Sequence, residues 1–363
     1  MTSGDPSQTM PRLPNPDFWR DRRVLLTGHT GFKGSWAALW LEQLGAEVTG
    51  LALEPDSDPS LYTLARVEGG LRSLIVDMRD RHGVEAAVRA ARPQIVLHLA
   101  AQALVRRSIR EPVETIATNV MGTTHLLDAL RRQTGLEAVL VVTSDKVYAN
   151  AERGLPFAET DALGGKDPYS ASKAAVELVT AAFATSYFDA LDIPLATGRA
   201  GNVVGGGDFS ENRIVPDLVR AALTGETLVL RHPEAVRPWQ HVLDCVAGYF
   251  IYAEALANRE GVPQTLNFGP EPSEPVTVAE FADALQAALG VAGGWRHEPV
   301  EGSVEARHLT LASDTARRLL DWRDRLPGRA CVNAVADWYR SWMQGKDMRE
   351  ATLAQLAAYQ SGR

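Results

Sequence analysis

Tyr169 and Lys173 stand four residues apart in Pro168-Tyr169-Ser170-Ala171-Ser172-Lys173, where Pro168 suits the first turn of a helix. The i, i+4 spacing puts phenol and ammonium on one helical face. A cation beside a phenol favours the phenolate and draws its pKa down from about 10 toward working pH. Such a phenolate can take the proton of a substrate hydroxyl while a hydride leaves for a nicotinamide. Thr143, 26 residues earlier at the end of an apolar run, is placed to hydrogen-bond the same hydroxyl. Tyr-x-x-x-Lys recurs by chance, so its meaning depends on what precedes it. That is Thr27-Gly28-His29-Thr30-Gly31-Phe32-Lys33-Gly34, a G-x-x-G-x-x-G loop between an apolar run and a helical pattern. Glycines at 28, 31 and 34 permit a tight turn and close approach of a pyrophosphate, and the helix N-terminus offers unpaired N–H donors. Glu54, 20 residues beyond Gly34, suits a ribose 2′-hydroxyl and repels a 2′-phosphate, which favours NAD over NADP.

These residues need a scaffold, and the chain supplies one by alternation. Apolar runs at 22–27, 46–53, 74–76, 94–100, 138–144 and 193–200 alternate with helical spacing at 34–44, 80–91, 112–132 and 169–187. Short apolar strands separated by amphipathic helices predict an α/β fold, a Rossmann-type doubly wound parallel sheet covered on both faces. After about residue 200, Gly205-Gly206-Gly207, Pro216, Pro233 and Pro238 break the pattern. The expected division is a flexible leader at 1–17, a dinucleotide-binding domain at 18–200 to which segments near 239–268 return, a smaller, mostly C-terminal substrate-binding domain at 201–345, and a tail at 346–363.

Composition narrows the function classes. The 363 residues carry 37 Lys+Arg against 45 Asp+Glu, a net charge of −8, so an electrostatic grip on nucleic acid is not expected. Two cysteines cannot build a disulfide framework and suit a reducing cytoplasm. The N-terminal residues have no apolar core of a signal peptide, and no stretch reads as a membrane span, so no membrane partner is expected. No His, Cys or carboxylate set has metal-ligand spacing, so no metal is expected.

The glycine loop, the Thr143, Tyr169 and Lys173 set and the length resemble the extended short-chain dehydrogenase/reductase family, whose members mostly act on nucleotide-activated sugars. Further segments narrow the resemblance: Gly28-His29-Thr30-Gly31-Phe32-Lys33-Gly34-Ser35-Trp36, His98-Leu99-Ala100-Ala101-Gln102, Thr143-Ser144-Asp145-Lys146, Arg199-Ala200-Gly201-Asn202 through Asp208, and Arg237-Pro238-Trp239-Gln240-His241-Val242 are similar to CDP-glucose 4,6-dehydratases. The resemblance covers about residues 18–345. It implies a hydro-lyase that uses NAD to convert CDP-glucose to a 4-keto-6-deoxy sugar, an early step of deoxysugar biosynthesis with a surface polysaccharide such as O-antigen as one destination. Another 4,6-dehydratase, a 4-epimerase or a non-catalytic NAD sensor are the rival readings.

Asp145 and Lys146 bear on that choice, because an epimerase needs no acid for losing water. Asp145 is the candidate acid for water loss; Lys146 either assists proton removal at C5 or orients the sugar. The resemblance further implies that Thr30, Phe32, Asp77, Ala100 and Gln102 join Gly28, Gly31, Gly34 and Glu54 around the cofactor, Asp77 touching the adenine. It implies that Asn202 and Arg237, with Arg213 and Arg307, hold the substrate diphosphate. His98 and Gln102 shape the loop under the cofactor, and His241 has no chemical role. Ala-, Val- and Leu-rich stripes on the 112–132 and 169–187 helices are candidates for a homodimer or homotetramer interface.

Overall fold

The computed structural model describes residues 11–271, 276–291, 293–299, 306 and 308–362. Seven strands form the main sheet: β1 (Arg23–Thr27), β2 (Glu47–Ala52), β3 (Arg72–Ile75), β4 (Ile95–His98), β5 (Ala138–Val142), β6 (Leu195–Ala200) and, after three shorter strands, β10 (Thr265–Phe268). Their spatial order is β10-β6-β5-β4-β1-β2-β3 and every pairing is parallel. This is the doubly wound order 3-2-1-4-5-6 with one strand added at the β6 edge. The order reverses between β1 and β4, where Thr27 pairs with His98, so a crevice opens at the carboxyl ends of these two strands.

The apolar runs of β1, β4, β5 and β6 are continuous because these inner strands are buried on both faces, while the edge strand β3 is partly exposed. Along β1, Val24 and Leu26 join one core with Trp36, Trp40 and Phe250, while Leu25 joins the other with Val84, Val88 and Leu126. β4 and β5 repeat the alternation: Ile95, Leu97 and Leu140 face the first core, and Val96, Val139 and Val141 the second. Helices Phe32–Gln43 and Val242–Ala257 therefore cover one face, and Arg81–Ala91, Gly122–Leu130 and Pro168–Phe183 the other. With its continuation, Pro168–Leu191 is the one described stretch long and apolar enough to cross a membrane, 24 residues at a mean hydropathy of 1.2. Here it lies on the sheet, with Tyr169, Lys173 and Glu177 buried beneath it.

Beyond β6 the chain builds a second lobe. β7 (Val203–Val204) pairs with β9 (Gln240–His241), and β8 (Leu228–Leu230) pairs with β11 (Trp295–His297), all parallel. Helix Ile214–Thr224 packs on β8 and Arg329–Met343 on β9, and Val278–Leu289 packs against both of these helices. Residues 348–361, grouped with the tail above, form a helix whose Met348, Thr352, Leu356 and Tyr359 are buried. Arg349 ties it to Glu42 at 2.6 and 2.8 Å. Residues 11–17, grouped with a flexible leader, are anchored instead. The buried carboxylate of Glu254 requires donors, and it takes the Asn15 amide (2.7 Å), the Trp19 indole (2.7 Å) and Arg12 (3.1 Å).

Candidate active site

The glycine loop closes the crevice by backbone contact. Gly28 has φ +76°, and a Cβ there would lie 2.8 Å from the Ala100 nitrogen; a Cβ at Gly34 would lie 2.0 Å from the Gly28 carbonyl oxygen. Only glycine fits either place. Thr30 donates its hydroxyl to the Leu53 carbonyl (2.8 Å), and Ala100 donates its N–H to the Thr27 hydroxyl (3.0 Å), so β1, β2 and β4 are laced together at this end. Gly31 is the N-cap of the Phe32–Gln43 helix, exposed and without a side-chain cap. An uncapped helix N-terminus facing an open glycine is an anion site. Phe32 is half-buried beside Gly205 of the second lobe.

Around this loop the acids differ. Glu54 is exposed just past β2. Asp77, past β3, accepts the Arg79 N–H (2.8 Å) and its guanidinium (2.6 to 3.0 Å), which hold its pKa below the usual value. Gln102 is spent within the protein: it donates to the Thr115 hydroxyl (2.8 Å), while Asn119 accepts its N–H (2.8 Å). Asn119 also donates to Ser172 (2.8 Å), joining the loop under the crevice to the Tyr169 helix. It sits in a π-turn, Ala117–Met121, and no spacing in the sequence signals it. His98 bonds the hydroxyls of Thr27 (2.7 Å) and Thr123 (2.9 Å) and is pushed down to about 3 by burial and by Lys173, so it is a neutral brace. His241 is likewise pushed down by burial, to about 3.

Thr143, Ser144, Asp145, Lys146 and Tyr169 line one cavity of about 450 Å³ with Asn202, Arg213 and Arg237; Lys173 is buried one turn beyond Tyr169. The structure redistributes their roles. Thr143 gives its hydroxyl to buried Glu177, not to the cavity. The hydroxyl that lowers the Tyr169 pKa is that of Ser144, which in this structure donates to Asp145 Oδ1 at 2.9 Å. The tyrosine also departs from expectation: burial pushes it up to about 12, outweighing Ser144 and Arg213. Lys173 donates to the Val142 carbonyl (3.0 Å), and burial together with Lys33 pushes its pKa down to about 8.

Asp145 is 2% exposed. Its Oδ1 accepts the Ser144 hydroxyl (2.9 Å), and its buried Oδ2 has no hydrogen-bond partner. A buried oxygen without a donor is costly in a folded chain and is met where a ligand group completes it. Gly201 makes room for it, since a Cβ there would stand 3.3 Å from that oxygen and 2.7 Å from Pro238. Lys146 is half-buried beside it.

On the far wall, Arg213 pairs with Asp208 at 3.0 Å and buried Arg237 donates to the Val236 carbonyl (2.9 Å). Arg307 lies outside the described residues. Three cationic residues in this cavity escape the sequence reading: Lys33, Arg106 and Arg231. Arg106 and Arg231 reach the same Asn212 Oδ1, at 2.8 and 3.3 Å, from opposite lobes. Their common signal, basic residues flanking apolar pairs, is too weak to separate them from surface arginines. The cavity thus gathers six Lys and Arg side chains, the chemistry of a diphosphate site.

Comparison with known proteins agrees with this geometry. The family model described as NAD dependent epimerase/dehydratase family matches residues 24–269. A CDP-glucose 4,6-dehydratase from Salmonella typhimurium is 38% identical over 352 residues, covering 95% of this chain and 98% of the relative. A dTDP-glucose 4,6-dehydratase from Xanthomonas campestris is 31% identical over 350 residues, covering 88% and 95%. Among solved structures, UDP-glucose-4-epimerase from Stenotrophomonas maltophila with bound NAD and formylated UDP-arabinopyranose aligns with a TM-score of 0.77 and 25% identity, covering 89% and 99%. The Thermus thermophilus UDP-glucose 4-epimerase complex with NAD gives 0.76 and 28%, covering 88% and 99%. The glycine loop and the uncapped helix of this chain fit NAD. The chain belongs to the NAD dependent epimerase/dehydratase family.

Proposed function

We propose that this protein is a CDP-glucose 4,6-dehydratase, converting CDP-glucose to CDP-4-keto-6-deoxyglucose and water. The observation that carries the reading is Asp145: a buried carboxylate with one oxygen open, in the same cavity as Tyr169 and beside Lys146. Oxidation of the C4 hydroxyl needs no such group; losing water from C6 does.

In this reading Gly28, Gly31, Gly34 and the helix N-terminus hold the cofactor pyrophosphate, and Glu54 holds the ribose. Bound there, NAD would supply the redox chemistry, a nicotinamide able to accept a hydride and give it back. Tyr169 and Ser144 hold the C4 hydroxyl, and Tyr169 removes its proton; Arg213 and Ser144 offset part of what burial costs the phenolate. Lys173 supports that face of the helix from the Val142 carbonyl. The resulting C4 ketone acidifies C5–H. Lys146 takes that proton, Asp145 gives one to the C6 hydroxyl, which leaves as water, and Lys146 gives its proton back to C5 as hydride is returned to C6. Asn202, Arg213 and Arg237 bind the diphosphate, and Arg106 joins them from the other lobe.

The test mixes the protein and NAD with CDP-glucose and, separately, with dTDP-, UDP- and GDP-sugars. Loss of one water from CDP-glucose, without net NADH, is the expected result. An isomerised sugar of unchanged mass identifies an epimerase instead and overturns the reading.

The finer reading includes a soluble place in the cytoplasm, a product that feeds deoxysugar biosynthesis, and a homodimer. Val113 and Leu178, 81% and 63% exposed, lead an apolar face with Ile109, Ile116 and Met121 that a second copy would cover. Val113→Glu is expected to shift the sedimenting species from dimer to monomer; a wild-type monomer refutes the dimer.

A further inference from the structure

We propose that Glu177, clamped by Arg199, is a positioning residue for the reaction: by taking the Thr143 hydroxyl it sets how Ser144, Asp145 and Lys146 leave the end of β5 toward Tyr169. The assay of this inference rests on the dehydratase reading, but its geometry does not.

Tyr169, Lys173 and Glu177 follow at i, i+4 and i+8 on the Pro168–Phe183 helix, and all three are buried. Glu177 therefore extends the catalytic face one turn inward. Its two oxygens take four donors. Oε1 accepts the Thr143 hydroxyl and Arg199 Nε (3.0 Å); Oε2 accepts the Thr197 hydroxyl (2.8 Å) and Arg199 Nη2 (2.8 Å). Arg199 is held in turn by the Tyr148 hydroxyl (2.8 Å) and the Glu159 carbonyl (3.2 Å). One carboxylate thus joins the catalytic helix to β6 and to the residue that follows β5.

A buried ion pair is a weak source of stability, because desolvation offsets the attraction. What this pair provides is direction. Thr143 is the last residue in the ladder, its N–H donating to Gly198 (2.9 Å). Ser144 then runs extended at φ −153° and ψ 157°, and its oxygen accepts the Lys146 N–H (3.2 Å), starting the Asp145–Val147 turn. With the Thr143 side chain fixed on Glu177, that turn has one orientation. Glu177 also opposes the burial that discharges Lys173, so it serves the ammonium as well as the turn.

The experiment is a double-mutant cycle with Thr143→Val, Glu177→Gln and their combination, plus Thr143→Ser as the rescue. Turnover is read on whichever nucleotide sugar the wild type converts, beside amide hydrogen exchange over residues 143–148, which needs no substrate. Thr143→Val is expected to lower kcat by about a hundredfold, the cost of roughly 1 Å of misplacement, with KM nearly unchanged. Thr143→Ser restores most of it. In the Glu177→Gln background the valine adds less than in the wild type, because the amide no longer offers Arg199 two charged oxygens and the acceptor of the Thr143 hydroxyl loses its fixed direction. Exchange over 143–148 rises in both single variants. Wild-type kcat in Thr143→Val, multiplicative losses in the cycle, or unchanged exchange each overturn the proposal. Where Glu177→Gln does not fold, the valine and serine variants decide it through kcat, KM and exchange.

Discussion

Asp145→Asn separates the two halves of the proposed reaction. Asn retains the Oδ1 that accepts the Ser144 hydroxyl at 2.9 Å, and the group it replaces, Oδ2, bonds nothing in the protein. No intramolecular hydrogen bond is lost, so the folding cost is expected below about 1 kcal/mol. The chemical cost is larger. An amide cannot protonate the C6 hydroxyl, and losing a general acid slows its step about 10² to 10⁴-fold, or roughly 3–5 kcal/mol of barrier. Removing the proton of the C4 hydroxyl, which falls to Tyr169, does not need Asp145. Rapid mixing with CDP-glucose, followed by nicotinamide absorbance and by quenched product, is therefore expected to show bound NADH accumulating toward one per site while the 4-keto-6-deoxy product falls by that factor. Wild-type product formation refutes the acid role. Loss of NADH formation with an unchanged melting temperature moves Asp145 to the oxidation step instead.

Other perturbations test the remaining parts. Gly34→Ala places a methyl 2.0 Å from the Gly28 carbonyl, a backbone clash; overpacking of about 1–3 kcal/mol predicts NAD binding weaker by roughly 5 to 150-fold in calorimetry, and unchanged affinity removes the loop from the cofactor site. Ser144→Ala removes a hydroxyl that Asp145 Oδ1 accepts at 2.9 Å and that helps lower the Tyr169 pKa, and a hydrogen bond to a charged group of about 1.5–3 kcal/mol predicts kcat down roughly 10 to 100-fold; full activity returns that role to another group. Lys173, pushed down to about 8, loses its proton as pH rises through that value, so kcat is expected to fall on the alkaline side there. Its folded pKa lies below the ordinary 10.5, so between these values the unfolded chain binds more protons and stability rises with pH. Denaturant titrations should show that rise in the wild type and lose it in Lys173→Met.

The strand-and-helix alternation was legible because burial on both sheet faces writes itself as uninterrupted apolar runs; β1, β2, β4, β5 and β6 fall within a few residues of their expected bounds. The glycine loop was legible for a related reason, since only glycine survives contacts of 2.0 to 2.8 Å. β10 was less so: segments near 239–268 are expected to return to the first domain, but Thr265–Phe268 is only four residues long and carries no strand signal of its own. The arginines were the least legible. Arg106 and Arg231 acquire their meaning from a shared contact with Asn212, and sequence spacing does not carry that convergence.

The Thr143 and Ser144 pair shows where spacing stops. Both are hydroxyl residues at the end of the same strand, and either satisfies the chemistry expected of that place. What separates them is which element each meets, and that is decided by a carboxylate two helical turns beyond Tyr169. Glu177 accepts Thr143 because Arg199 and Thr197, on β6, hold it there. Strip the sequence to the motif and the first hydroxyl is as good as the second. Add the partner strand, and the threonine becomes part of the frame while the serine is left facing the phenol. Assigning a catalytic residue from spacing therefore selects a position only to within the pleat of the strand; the side chain that does the chemistry is chosen by the neighbours that occupy the other one.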